Sequence, residues 1–269
     1  MAQHDQDNIN SRNEEPQHNE DQLRGVGLLR DQHHHHHPSS SKPKLENYDC
    51  ALKIIDKVMF YDRVKHGRER LDGIVRETAV PATMAAMSKA KNLNNSFLRL
   101  RGYFETAQHI VLEMELLEGT DLFGYVSEKG KLAETEAAVI LKDLLACLND
   151  MRKVGVVHRD VKPANILMAN PLLTGVSIKL GDFGMATFVG VDGLVRGRCG
   201  TPGYVAPEIL AAGVNNGYGK NVDVFSAGVT LYILLCGYEP FYGENDAELI
   251  QANREAKVDF PAEEWSSSK

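Results

Sequence analysis

Two short stretches carry residue types that can move a phosphoryl group. The first is His158-Arg159-Asp160-Val161-Lys162-Pro163-Ala164-Asn165, and the second, Asp182-Phe183-Gly184, begins 17 residues beyond it. Phosphoryl transfer asks little covalent chemistry of a protein: an aligned hydroxyl, one or two magnesium ions and neutralisation of phosphate charge. Asp160 can accept the proton of a substrate hydroxyl, Lys162 is a point charge for a γ-phosphate, and Asn165 and Asp182 offer the hard oxygen ligands that Mg²⁺ prefers.

Both stretches, in this order and followed by Ala206-Pro207-Glu208, resemble the eukaryotic protein kinase family. Gly200-Thr201-Pro202-Gly203-Tyr204-Val205-Ala206-Pro207-Glu208 is close to the calcium/calmodulin-dependent protein kinase group, as is the run from Leu234 to Asp246, and it marks a serine/threonine kinase. The resemblance covers residues 48 to 266. It implies an α+β, two-lobed fold, with a small β-rich N-lobe and a larger, mostly helical C-lobe. It also implies ATP and Mg as cofactors and serine or threonine side chains of proteins as acceptors. Thr201 is then expected to hydrogen-bond near Asp160 and Lys162, and Asp223, at the start of a buried helix, to anchor the catalytic-loop backbone. His158 and Phe183 are expected to stack and hold loops rather than react. Arg159, beside the base, commonly answers in this family to a phosphate on the activation segment.

Those groups need a frame. Asp49 to Ile55 alternates and ends in the family's Ala-x-Lys signature, so a strand is expected, with Lys53 facing the α- and β-phosphates and Ala51 lining the adenine pocket. A helix must supply the glutamate that orients Lys53. Glu77 matches best and Glu69 is the fallback, although Glu77 is 24 residues past Lys53 and Pro81 is expected to kink or end that helix. His109 to Leu117 reads as a strand running into the interlobe hinge. By resemblance Met114 is the gatekeeper, and the backbones of Glu115 and Leu117 meet the adenine edge. Asp121 is open to two readings, a ribose- and substrate-side acid or a helix N-terminal acid favoured by the helix dipole. Leu167 is expected beneath the adenine. Between Glu134 and Val154, Ala137, Ile140, Leu141, Leu144, Leu145, Leu148 and Met151 recur at helical spacing and predict a core helix.

The N-terminal end departs from the family. Residues 1–21 are polar with almost no large apolar side chain, and disorder is expected. Val26 and Leu28 read as the strand before the lysine strand, with Val26 capping the adenine. That makes 32–47, which holds the His33–His37 run, a low-complexity insertion, and sets the glycine-rich loop at about 17–24, where the sequence has no glycine. Glycine matters there because a backbone without Cβ atoms can close over phosphates and aim its N–H groups at them. The expected organisation is a disordered segment at 1–21, an N-lobe at 22–115 and a C-lobe at 116–269. The C-lobe lacks the family's later helices, leaving the buried helix of 222–236 partly uncovered.

Composition excludes several classes. A net charge of -7 gives no support for nucleic-acid or anionic-membrane binding as the main activity. Four scattered cysteines without metal-ligand spacing, and no signal-like apolar segment at the N-terminus, point to an intracellular, cytoplasmic compartment. No calmodulin-binding helix or EF-hand loop is found within the chain.

The leading expectation is an ATP:protein phosphotransferase acting on serine or threonine. The alternative is a catalytically impaired kinase-fold binding protein, supported by the missing glycines. Val195-Arg196-Gly197-Arg198-Cys199 offers no hydroxyl ahead of Gly200, so no activating phosphosite is expected there. Ala164 stands where basophilic relatives carry glutamate, which weakens selection for arginine in the substrate, and Met185 favours serine over threonine by family analogy.

Overall fold

The computed structural model describes residues 26–28, 50–94, 96–169, 177–212 and 216–265. The expected disordered segment 1–21, the glycine-rich loop position and the insertion 32–47 lie outside the described residues. The fold is α+β and two-lobed. Strand β1 (Val26–Leu28) pairs antiparallel with β2 (Cys50–Asp56), Val26 opposite Lys53. Helices α1 (Lys57–Lys65) and α2 (Gly73–Lys91) follow, then β3 (Leu100–Glu105) and β4 (His109–Glu115), giving one antiparallel sheet of order β1-β2-β4-β3.

Helix α1 has no counterpart in the sequence reading. Asp56 starts it, its carboxylate accepting from the Met59 N–H at 2.9 Å, and Phe60 is its one buried residue. With so little apolar face, α1 leaves no helical period to read. Its nine residues account for the long spacing from Lys53 to Glu77.

Pro81 does not end the next helix, as the sequence allowed, because α2 runs unbroken from Gly73 to Lys91. Proline fits helical φ; what it removes is one N–H to the carbonyl of Glu77. Burial holds the helix through that gap: Val80 and Met84 are fully buried, Pro81 is buried between them, and α2 packs on β3.

The helical part begins with α3 (Leu122–Lys129) and α4 (Glu134–Lys153). On α4 the periodic set is buried at Ala137, Ile140, Leu144, Leu148 and Met151, joined by Cys147, while Leu145 faces out. Short strands β5 (Val156–Val157), β6 (Ile166–Met168), β7 (Ile178–Leu180) and β8 (Thr187–Phe188) form two small hairpin-like pairs, β5 with β8 and β6 with β7. Helices α5 (Pro207–Ala211), α6 (Val222–Cys236), α7 (Asp246–Glu255) and α8 (Ala262–Trp265) complete the chain.

Helix α6 packs against α4 and is buried on most faces, Val224 being its one exposed large apolar residue. At its C-terminal half Tyr232 lies 5.5 Å from Trp265, and Phe260 meets the same indole edge-on at 4.8 Å. The expected bare face is therefore confined to the N-terminal half of the helix. No helix of the described residues is long and apolar enough to cross a membrane.

Candidate active site

The loop after β5 carries His158, Arg159 and Asp160 and closes in a 3-10 turn, Pro163–Asn165, that feeds β6. Its path is unusual, since Arg159 has φ +68°. Asp223, on the first turn of α6, holds it there: one carboxylate oxygen accepts the His158 N–H and the other the Arg159 N–H, each at 2.7 Å. Burial pushes the Asp223 carboxyl up, and His158 with the two amide donors opposes that rise. His158 is fully buried, its Nε2 3.0 Å from the Gly181 carbonyl and its ring edge-on to Phe183 at 5.3 Å.

Asp160, so held, gathers the expected partners. Its Oδ1 accepts from Thr201 Oγ1 at 2.6 Å, and its Oδ2 lies 2.9 Å from Asn165 Nδ2 and 3.2 Å from Lys162 Nζ. Lys162 Nζ in turn donates to Thr201 Oγ1 at 2.8 Å. The segment that bears Thr201 is tied to α6 as well, because Ser226 Oγ donates to the Tyr204 carbonyl at 2.7 Å.

The β6–β7 hairpin explains how residues 17 apart meet. Ile166 pairs with Leu180, and the Gly181 N–H donates to the Asn165 carbonyl at 2.9 Å, so Asn165 and Asp182 flank the open end of the hairpin. Asp182 has φ +55° and its Oδ1 is 3.6 Å from Lys53 Nζ. Lys53 forms an ion pair with Glu77, not with Glu69. Burial alone would discharge this lysine; Asp182 and Glu77 overcome it and hold the ammonium above the ordinary lysine range. Glu77 is pushed up by burial, Lys53 pulling it down and Asp182 adding to the rise. Asp182 is also opposed by burial, but Lys53, His158 and the Gly184 N–H hold its carboxyl below the usual range.

Two ammonium groups thus face three carboxylates, Glu77, Asp160 and Asp182, before any phosphate arrives. The donor set fits a hard cation. Asn165 commits its amide nitrogen to the Asp160 carbonyl and Oδ2, which leaves its amide oxygen as a ligand beside the Asp182 carboxylate.

The expected nucleotide wall is assembled in part from strand register. Ala51 on β2 lies opposite Met114 on β4, and Val26 on β1 opposite Lys53. Met114 lines a cavity of about 20 Å³ with Leu98, Leu112, Pro81 and Phe183. Glu115 ends β4 and Leu117 follows in the connection to α3. Leu167 lies on β6, bridged to Asp121. That connection passes close over β6: a Cβ on Gly119 would stand 2.2 Å from the Met168 carbonyl oxygen, so no larger residue fits without a shift. Of the two readings of Asp121, the helix-terminal one describes what its carboxylate does here, since Oδ1 accepts the Gly124 N–H at 2.8 Å and caps α3.

Several contacts were not anticipated from sequence, among them contacts of Glu115 and Arg159, which were named there for other roles. Glu115 pairs with Lys179 at 2.6 Å and accepts the Arg99 N–H, stitching the end of β4 to β7. Asp150 is buried and accepts the Asn94 N–H at 2.6 Å. Arg159 donates to the carbonyls of Met185 (2.8 Å) and Arg196 (3.1 Å) and to Tyr218 Oη (3.3 Å). An Arg or Asp in a polar stretch carries no sequence mark of such burial; only the fold reveals it. Glu208 is exposed and in no ion pair among the described residues.

A family model for the protein kinase domain matches residues 42–268. The chain is 38% identical over 176 residues to myosin light chain kinase A of Dictyostelium discoideum, covering 65% of this chain and 58% of that one. It is 38% identical over 215 residues to calcium/calmodulin-dependent protein kinase type 1 of Macrobrachium nipponense, covering 80% and 56%. It is 37% identical over 190 residues to calcium/calmodulin-dependent protein kinase type 1B of Rattus norvegicus, covering 71% and 53%. The chain therefore spans more than half, but less than two thirds, of the length of these relatives.

Proposed function

Because the chain belongs to the protein kinase family, we propose that it transfers the γ-phosphate of ATP to serine and threonine hydroxyls of protein substrates. The observation that carries this reading is a pair of networks, Lys53–Glu77–Asp182 and Asp160–Lys162–Thr201, with Asn165 bonded through its side chain to Asp160 and through its carbonyl to Gly181, next to Asp182. Asp160 accepts the substrate hydroxyl's proton while Thr201 holds its other oxygen in place. Lys162 neutralises charge on the transferred group and Lys53, oriented by Glu77, that on the α- and β-phosphates. Asn165 and Asp182 would hold Mg²⁺, which neutralises phosphate charge when bound. Ala51, Met114, Leu167 and Val26 would enclose the adenine, with the backbones of Glu115 and Leu117 at its edge.

Ala164, in place of an acid, loosens selection for basic substrate residues, and Met185 favours serine. Exchanging Met185 for threonine should raise threonine phosphorylation relative to serine; an unchanged ratio refutes the assignment.

A second reading, a nucleotide-binding protein with weak transfer, is favoured by the absence of glycine at 17–24. Losing two or three charge-assisted backbone bonds of about 1.5–3 kcal/mol each would weaken ATP binding by orders of magnitude. One experiment separates the readings. Mg²⁺-dependent thermal stabilisation by ATP, abolished in Asp182→Asn, reports binding, and label transfer to a basic serine peptide reports catalysis. Stabilisation without transfer selects the binding protein, and the absence of both in a chain extended with the family's further helices removes the enzyme.

A further inference from the structure

Strand β3 stands at one end of the sheet β1-β2-β4-β3, so one side of it has no neighbouring strand among the described residues. Which backbone groups face that side follows from the ladder. The Thr106 N–H donates to the His109 carbonyl at 2.8 Å and the Glu115 N–H to the Arg99 carbonyl at 3.0 Å, one bond at each end of the β3–β4 pairing. Bonded and non-bonded pairs alternate along an antiparallel ladder, so between these ends Val111 bonds to Phe104 and Glu113 to Gly102. The N–H and carbonyl groups of Tyr103 and Glu105 therefore point off the open side, and a bare edge of this kind is a template for another strand.

Little blunts this edge. Leu100–Glu105 contains neither lysine nor proline, and its one irregularity, a register shift between Leu100 and Gly102, leaves Gly102 to Glu105 regular. Two large rings stand exposed on it, Tyr103 at 61% and Phe104 at 49%, on opposite faces of the strand.

The stretch is also complementary to itself. With two copies of Arg101-Gly102-Tyr103-Phe104-Glu105 laid antiparallel about a twofold axis through Tyr103, Tyr103 meets its own copy and the outward backbone groups of both exchange two bonds. Phe104 falls opposite Gly102 in a non-bonded pair, with Cα atoms about 4.5 Å apart, so that each ring covers a glycine. Arg101, which is exposed, falls opposite Glu105, whose side chain is 60% exposed while it pairs with Lys57. A register slipped by one residue sets outward-facing groups against groups already spent on β4, and one slipped by two separates Arg101 from Glu105.

We propose that β3 pairs edge to edge with β3 of a second copy of this chain, joining two four-stranded sheets into one continuous sheet. The pairing involves neither Lys53 nor the loop of Asp160 and does not depend on phosphotransfer. Residues 101–105 of each copy bury far less than the about 800 Å² per partner of a stable complex, so the dimer is weak and forms with rising concentration.

The test is sedimentation of the full 269-residue chain, without nucleotide, from micromolar concentration to its solubility limit, with oxidative cross-linking as a second readout. A reversible monomer–dimer equilibrium is expected. Tyr103→Lys sets like charges face to face on the axis and should weaken it about tenfold or more. Arg101→Glu and Glu105→Arg should each weaken it, and the two together should restore it, as the antiparallel register requires. Tyr103→Cys should cross-link to its own copy, since Cα atoms of a bonded pair are about 5.5 Å apart. Phe104→Cys, opposite Gly102 and more than about 7 Å from its copy, should cross-link no more than the parent with its four free cysteines. A chain that stays monomeric throughout, a dimer indifferent to Tyr103→Lys, a double exchange that restores nothing, or equal cross-linking at 103 and 104 overturns the pairing.

Discussion

Asp223→Asn is the sharpest single perturbation of the site, because Asp223 is buried and reaches the loop of Asp160 through backbone N–H groups. Its two oxygens each accept one backbone N–H at 2.7 Å, from His158 and Arg159, at a point where Arg159 is held at φ +68°. An amide in the same place keeps one acceptor oxygen and turns its NH₂ group toward the other N–H. At least one charge-assisted bond, about 1.5–3 kcal/mol, is lost, and a buried donor is left facing a donor. Set against this is relief of burying a carboxylate, whose raised pKa shows that burial opposes the charge. The net expectation is a loss of about 2 kcal/mol, which for a domain of this size lowers Tm by roughly 4–8 °C.

The catalytic consequence is separable from the stability loss. At a temperature where the variant is folded, the loop relaxes from its left-handed turn and Asp160 drifts from Thr201 and Lys162. Phosphotransfer kcat should then fall by about 10- to 100-fold, in keeping with the sensitivity of reactions to small misplacements, while KM for ATP changes little. Chemical denaturation and steady-state kinetics on the same preparation provide both numbers. A variant that is as stable as the parent, or one that loses ATP affinity with kcat intact, refutes the claim that Asp223 acts by holding the loop.

Three more outcomes are expected. Gly119→Ala places a Cβ 2.2 Å from the Met168 carbonyl oxygen and should destabilise the chain by about 1–3 kcal/mol in urea unfolding, the range for overpacking against backbone. Pro81→Ala restores an N–H to the Glu77 carbonyl inside α2; a gain of about 3 kcal/mol in helix propensity exceeds the lost ring packing, so Tm should rise, and a fall would mean that the ring's contacts dominate. Glu77 has a folded pKa raised above its ordinary 4.5, so its contribution to stability is fully present below pH 4.5 and is lost as pH rises through the folded value; Glu77→Gln should abolish that loss in denaturation curves taken above pH 4.5, and a variant that keeps the slope would assign it to another group.

How much of this was legible depended on whether a local rule or a distant contact decided each residue. Phosphoryl chemistry restricts residue types and spacing, so Asp160, Asn165 and Asp182 could be named before any fold was seen, and alternation over Asp49–Ile55 and the apolar run His109–Leu117 marked the strands that face Ala51 to Met114. Pro81 misled because the proline rule is local, whereas the burial of Val80 and Met84 that holds α2 together is not. Helix α1 was invisible because it buries only Phe60 and so shows no period. Asp121 stayed ambiguous because capping a helix and binding a ligand ask for the same carboxylate, and only the Gly124 N–H at 2.8 Å separates them. Arg159 could be named beside Asp160, but not the carbonyls of Met185 and Arg196 that it bonds, because those contacts join residues 26 and 37 positions apart.

The hydrogen bonds also divide the cleft by the element each group hangs from. Asp223 fixes the loop of Asp160, and Ser226, one turn along α6, fixes Tyr204 beside Thr201, so both Asp160 and the segment of Thr201 are tied to one buried helix. Lys53 and Glu77 belong instead to β2 and α2. The two sets meet in one core, where Val80 and Met84 of α2 pack with residues of α4 and α6, and along β7, where Leu98 and Ser96 bond to Leu180 at 2.8 and 3.0 Å and Glu115 pairs with Lys179. Asp182, two residues past Leu180, sits where that strand delivers it to both sets.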